Sequence, residues 1–224
     1  MTGADLDLTK RAEECARAAG VTLVGFADVA GLAELPRAVA FAIRHSSEVF
    51  SPLEDMPTAP YDLEYESFNR RLGEIGERIA ALLTAEGHAA RVNAPTAYNL
   101  DRETLAAPFS HKLAATRAGM GWIGKSALLV TPQFGPGVRL GSLLTDAPLA
   151  VGHPVTESEC GDCIACQDAC PAGAILGENW RAGMPRGEFY DAFACARTAR
   201  ARAEARGIEG TICGMCMAVC PRRW

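Results

Sequence analysis

Eight of the nine cysteines lie in the last third of the chain, at spacings that suit thiolate ligation of iron. Cys160-Gly-Asp-Cys163-Ile-Ala-Cys166-Gln-Asp-Ala-Cys170-Pro171 reads C-x-x-C-x-x-C-x-x-x-C-P, and Cys213-Gly-Met-Cys216-Met-Ala-Val-Cys220-Pro221 reads C-x-x-C-x-x-x-C-P. Runs of this form hold cubane [4Fe-4S] clusters: the first three cysteines bind one cube, and the fourth, just before proline, crosses to the other. The second run is one cysteine short, and Cys195 is the remaining cysteine nearby. The spacing therefore predicts Cys160, Cys163, Cys166 and Cys220 on one cluster, with Cys195, Cys213, Cys216 and Cys170 on the other.

Two other chemistries compete for the same residues. Zinc sites of four cysteines usually pair two separated C-x-x-C knuckles, whereas here the short steps run twice into Cys-Pro. Disulfides fit least, because no secretory signal pattern opens the chain and the count is odd. The ninth cysteine, Cys15, sits on an apolar helical stripe and reads as a small buried hydrophobe.

A chain of 224 residues can bury a sizeable core, and 49% hydrophobic with 22% charged residues is ordinary globular composition. No apolar run approaches the roughly 20 residues of a membrane span. A soluble, cytoplasmic protein without a membrane partner is expected. The formal charge of −5, before any cluster is added, argues against a nucleic-acid backbone as the main partner.

The elements that must position the cysteines can be read from periodicity. Leu8, Ala12, Cys15, Ala16 and Ala19 share one helical face that ends at Gly20. Val21–Ala27 and Arg37–Ile43 read as strands, His88–Val92 as a third, Ala127–Val130 as a fourth and Val138–Thr145 as a fifth. Between them, Phe68, Leu72, Ile75, Ile79, Leu82 and Leu83 repeat at helical steps, which leaves Arg70, Arg71, Glu74, Glu77 and Arg78 to water. His111–Ala118 predicts a short helix, and Glu188–Arg206 a longer one that carries Cys195 and an arginine-rich face. The class is α+β, with an α/β lobe over 1–150 and a small double-cluster, bacterial-ferredoxin-like lobe over 151–224.

Gly119-Met-Gly-Trp-Ile-Gly-Lys125-Ser126 matches the letters of a phosphate-binding loop, but such a loop needs a strand before it and a helix after it. This chain offers a helix before and a strand after, so nucleotide hydrolysis is not expected. Asn93–Pro108 is irregular, and irregular segments of that length inside a domain are often functional.

Together, Tyr61-Asp-Leu-Glu-Tyr65, Ala118-Gly-Met-Gly-Trp-Ile-Gly-Lys125, Leu140-Gly-Ser-Leu-Leu-Thr-Asp146 and the cysteine array resemble the epoxyqueuosine reductase family of corrinoid and iron–sulfur proteins. The resemblance implies a nitroreductase-like first lobe that cradles cobalamin or another corrinoid, with the clusters supplying its electrons. It also implies that Gly119, Gly121, Trp122, Gly124 and Lys125 border the cofactor. The family's presumed proton-donating aspartate falls on Leu105, three residues before Pro108, and the chain stops at Arg222-Arg-Trp224 without the family's C-terminal helical repeat domain. Action on transfer RNA is therefore not expected.

The candidate proton-handling residues are Tyr98, Asp101, Glu103 and His111, with Lys112 beside them. Two functions remain. One is a reductase whose clusters, filled by a donor such as ferredoxin or flavodoxin, reduce a corrinoid or substrate in the first lobe. The other is a non-catalytic carrier that passes electrons to a partner protein. A lobe of about 150 residues beyond what a bare ferredoxin needs favours the reductase.

Overall fold

The computed structural model describes residues 3–51, 53, 56–95 and 100–222. The chain opens with helix α1 (Gly3–Ala18), whose Leu8, Ala12 and Ala16 are buried while Cys15 packs half-buried against the same core. Gly20, at φ +93°, turns the chain into strand β1 (Leu23–Asp28). β1 pairs antiparallel with β2 (Arg37–Arg44), from Leu23 opposite Ala42 to Asp28 opposite Arg37. The last pair is also an ion pair at 3.1 Å.

Helix α2 (Ala59–Ala85) follows the expected periodicity: Phe68, Leu72, Ile75, Ile79 and Leu83 are buried, and the charged residues of the opposite face are exposed. Strand β3 (Ala90–Asn93) pairs antiparallel with β6 (Val138–Thr145), giving a four-stranded sheet in the order β1-β2-β6-β3. Between them in sequence come helix α3 (His111–Arg117) and a two-stranded hairpin, β4 (Trp122–Ile123) with β5 (Leu129–Val130). The strand expected over Ala127–Val130 is shorter than its apolar run. Ala127 lies at φ +58°, and its N–H bonds the Gly124 carbonyl, so it closes the hairpin turn.

The C-terminal third carries three helices: α4 (Ala165–Asp168), α5 (Ala192–Glu204) and α6 (Met215–Ala218). α5 starts later than its apolar pattern suggests. The Asp191 carboxylate accepts from the N–H groups of Phe193 and Ala194, an N-cap that fixes the first turn, while Glu188 belongs to a separate 3-10 turn.

The class is the α+β class expected, but the chain groups into two interleaved compact units. One comprises residues 1–44, 68–121 and 139–155; the other comprises 45–67, 122–138 and 156–224. A boundary at 150/151 follows chain order, whereas the cysteine-bearing unit also takes in two segments from earlier in the chain. Within it, Val49, Phe50, Met56 and Tyr61 form one apolar core with Ala203, Ile208, Ile212, Met217 and Ala218.

In the sheet-bearing unit, Gly141 of β6 crosses the ring of Phe41 so closely that a Cβ there would stand 2.4 Å from Cε2. Phe41 is fully buried. Gly141→Ala is expected to destabilise the protein by about 1–3 kcal/mol, the usual cost of overpacking, measured by denaturant unfolding.

Candidate metal centre

The two cysteine runs are built alike. The first cysteine of each is followed by a left-handed glycine, Gly161 at φ +56° and Gly214 at φ +79°. A four-residue helix, α4 or α6, then leads to the Cys-Pro step, where the Cys170 N–H bonds the Gln167 carbonyl and the Cys220 N–H the Met217 carbonyl. α4 and α6 pack on each other. The Cys170 sulfur also accepts from the Ala174 N–H at 3.4 Å. All eight thiols are free of disulfide bonds; Cys163 is exposed and the others are half-buried.

Electrostatics separate the thiols into two sets. Burial pushes Cys166 up to about 11, and repulsion from Cys160, Cys220 and Cys163 adds to it. Cys220 is raised by burial and by Cys160 and Cys163, against a backbone hydrogen bond from Arg222. Cys216 is raised by burial, then by Cys195, Cys213, Cys166 and Cys170. Cys195 is raised chiefly by burial, opposed by a hydrogen bond from Tyr190, with Cys213 and Cys170 contributing. The neighbours thus fall into 160/163/166/220 and 170/195/213/216, and a Cys166–Cys216 coupling joins the sets. Such sites hold neutral thiols until iron displaces the protons. Among the described residues no three Cys, His, Asp or Glu side chains converge on the position of a single metal ion.

A buttress lies behind the second run. A Cβ on Gly214 would stand 2.2 Å from Met56 Cε and 3.1 Å from Tyr61 Cε1, so the left-handed glycine also admits these two side chains. The Tyr61 hydroxyl donates to Met217 Sδ at 3.7 Å. Next to Tyr61, the fully buried His45 places Nδ1 2.7 Å from Glu64 Oε1, which also accepts from the Ser46 N–H. The Tyr61–Tyr65 motif is therefore part of the cysteine-bearing unit.

Sequence reasoning missed Tyr190. Its hydroxyl hydrogen-bonds Cys195, and burial together with the Cys195, Cys216 and Cys170 thiols raises its own pKa. Asp191, the cap of the helix that presents Cys195, carried a readable signal as an aspartate before an apolar run. Tyr190 carried none, because its partner is defined only once α5 is placed.

The glycine-tryptophan segment divides between the units. Gly119 and Gly121 belong with the sheet; Trp122, Gly124 and Lys125 belong with the cysteines. Gly119, at φ +78°, makes room for the His153 carbonyl, 2.8 Å from where its Cβ would be. Gly124 makes room for Val130 and for Cys160 Sγ, 3.5 Å from the corresponding point. Helix α3 precedes the segment and β5 follows it, which is not the context of a phosphate-binding loop.

Of the proton-handling candidates, Tyr98 lies outside the described residues. Asp101 is exposed and held as a carboxylate by hydrogen bonds to Oδ1 from the Thr104 hydroxyl and N–H and from the Glu103 N–H, an Asx turn within the loop. Glu103 is exposed, and Leu105 occupies the left-handed region at φ +51°. His111 is fully engaged within the sheet-bearing unit. Nε2 lies 3.0 Å from the Ala94 carbonyl, which can only accept, so Nε2 carries the hydrogen and Nδ1 accepts from Ser142 Oγ at 2.7 Å. Asn93 Nδ2 donates to the same hydroxyl. Burial lowers the His111 pKa to about 4; the Ala94 contact opposes this, and Arg139 and Lys112 reinforce it.

Comparison with known proteins matches residues 159–223 to the 4Fe-4S double cluster binding domain. Epoxyqueuosine reductase of Escherichia coli K12 is 46% identical over 70 residues, 31% of this chain and 18% of that protein. The Pseudomonas aeruginosa enzyme is 34% identical over 113 residues, 50% of this chain and 28% of that protein. The matches thus span less than a third of these relatives. In fold, an epoxyqueuosine reductase solved with an epoxyqueuosine-modified tRNA-Tyr stem loop superposes with a TM-score of 0.62 at 21% identity, covering 96% of this chain and 65% of that one. A reductive dehalogenase described with a B12-dependent mechanism gives a TM-score of 0.70 at 19% identity over 94% of this chain and 31% of that one. The likeness to the epoxyqueuosine reductase family is therefore one of sequence over the cluster region and of fold over nearly the whole chain, and the cofactors of that region are two [4Fe-4S] clusters.

Two outcomes follow from the geometry. Tyr190→Phe removes a hydrogen bond to the Cys195 sulfur, so it is expected to lower the reduction potential of one cluster at unchanged iron content, read by redox titration followed by electron paramagnetic resonance. His111 is neutral when folded and titrates near 6.5 when unfolded, so its contribution is complete above pH 6.5 and is lost as pH falls toward 4. Between pH 7.5 and 5 that loss is about 2 kcal/mol, and His111→Gln is expected to remove it from the pH dependence of denaturant unfolding.

Proposed function

We propose that the protein is an iron–sulfur reductase in which Cys160, Cys163, Cys166 and Cys220 hold one [4Fe-4S] cluster and Cys170, Cys195, Cys213 and Cys216 hold the other. The observation that supports the assignment is the division of the thiols into those two sets of electrostatic neighbours. In each, the cysteine before proline sits with the opposite run, as double-cluster ligation requires. The clusters supply one-electron steps, filled by an external donor of the ferredoxin or flavodoxin kind.

The chain's own residues hold and insulate this pair. Gly124 lets the hairpin close on Cys160, Gly214 admits Met56 and Tyr61 behind the second run, and Asp191 and Tyr190 fix Cys195. The proposed acceptor is a corrinoid, whose cobalt would carry out the reductive chemistry on substrate. The likeness to epoxyqueuosine reductases and to the B12-dependent dehalogenase supports it.

One observation favours the second reading, an electron carrier that reduces a partner protein. Both ring nitrogens of His111 are engaged inside the fold, Asp101 Oδ1 accepts three hydrogen bonds of its own loop, and leucine stands at position 105.

Anaerobically purified protein is expected to contain about eight iron and eight sulfide per chain. Zinc without iron overturns the cluster assignment. Titration of the reduced holoprotein with cobalamin, followed by the visible spectrum, separates the two readings: saturable spectral change supports the corrinoid reductase, and an unchanged cobalamin spectrum supports the carrier.

A further inference from the structure

Two polar residues of the hairpin are buried, and one of them, Trp122, has a buried donor without an acceptor among the described residues. Lys125 is 4% exposed and makes no hydrogen bond or ion pair among the described residues. Trp122 is 1% exposed, and its indole N–H lacks an acceptor. A buried N–H without an acceptor is costly, so the Trp122 indole calls for one. Both residues flank the turn whose Gly124 abuts Cys160 Sγ. The Trp122 ring is also covered by the Arg222 guanidinium, 5.7 Å from its centroid and two residues beyond Cys220. The hairpin therefore lies beside the 160/163/166/220 set, and among the described residues no acidic side chain is paired with its lysine.

An anion next to the hairpin would accept from the Trp122 indole and face the charge of Lys125. A cube bound by four thiolates carries net negative charge, and each electron it accepts makes it one unit more negative, with no bond formed or broken. A fixed cation and an N–H donor at its edge favour the reduced form and raise the potential. Resting on the cluster assignment above, we infer that Lys125 and the Trp122 indole N–H are the charge and hydrogen-bond donors that offset the first cluster and set its reduction potential. This gives the Trp-Ile-Gly-Lys segment a role toward the 160/163/166/220 cluster itself.

The test is a redox titration of the full-length, cluster-loaded protein with dithionite as the one-electron reductant, followed by electron paramagnetic resonance. Cys195→Ala, which removes a ligand of the second cluster, identifies which signal belongs to the first. Lys125→Met is expected to shift the redox equilibrium of the first cluster toward oxidation by at least tenfold, about 59 mV for a one-electron couple, and to leave the second nearly unmoved. Trp122→Phe is expected to move the same signal in the same direction by less, and Lys125→Arg to restore it. Should Lys125→Met fail to retain iron, Lys125→Gln is the second neutral variant; retention of the first cluster by Lys125→Arg and its loss from both neutral variants also supports the inference. An unchanged first-cluster potential in a fully loaded neutral variant, or an equal shift of both clusters, overturns the inference and leaves the cluster assignment standing. Wild-type protein without iron overturns both.

Discussion

The cysteine region of this chain does not close its own apolar core. α4 and α6 have four residues each, and α5, the longest helix of the region, is mostly alanine and arginine. The deficit is met by residues from much earlier in the chain: Phe50, Met56 and Tyr61 complete a core with Ile208, Ile212 and Met217, and the 122–130 hairpin closes on Cys160. Burial then raises the thiol pKa values, and proximity raises them further. The same packing that orders the ligands makes the metal-free site a poor place for negative charge. Iron, by replacing protons, removes that conflict.

This constraint explains which glycines matter. Gly124 and Gly214 sit where the buttressing segments meet the cysteine runs, and at both points a Cβ would enter a neighbouring side chain. Gly119 looks similar in sequence but serves a different contact, the backbone of His153 in the sheet-bearing unit. One glycine-rich motif thus performs two separate packing tasks, and its resemblance to a phosphate-binding loop is a coincidence of letters.

Much of the fold was legible in the sequence because it rests on local periodicity. The α2 stripe, the β1 and β2 strands and β6 follow from apolar spacing. What was not legible depends on contacts between residues far apart in the chain. Ala127 reads as strand by composition, but the hairpin turn holds it left-handed. His111 and Asp101 read as chemical candidates by type, and only their partners, Ser142 and Ala94 for one and Thr104 for the other, show that they are bound up in structure. Tyr190 and His45 lie outside any motif, since each is defined by an approach across the fold, to Cys195 for one and to Glu64 for the other. A single boundary at residue 150 divides the chain where its composition changes, whereas its contacts interleave.

The interleaving bears on inheritance. The stretch shared most plainly with relatives, residues 159–223, contains all eight proposed ligands and reads as a portable module. A recombination event that moved only that stretch would transfer the ligands and leave Phe50, Met56, Tyr61 and the Trp122 hairpin behind. Its new host would need other side chains to cover the apolar surface that those residues cover here. Substitutions at Phe50, Met56 or Tyr61 and at Ile208, Ile212 or Met217 are therefore constrained by one another, although the two sets lie on opposite sides of residue 150.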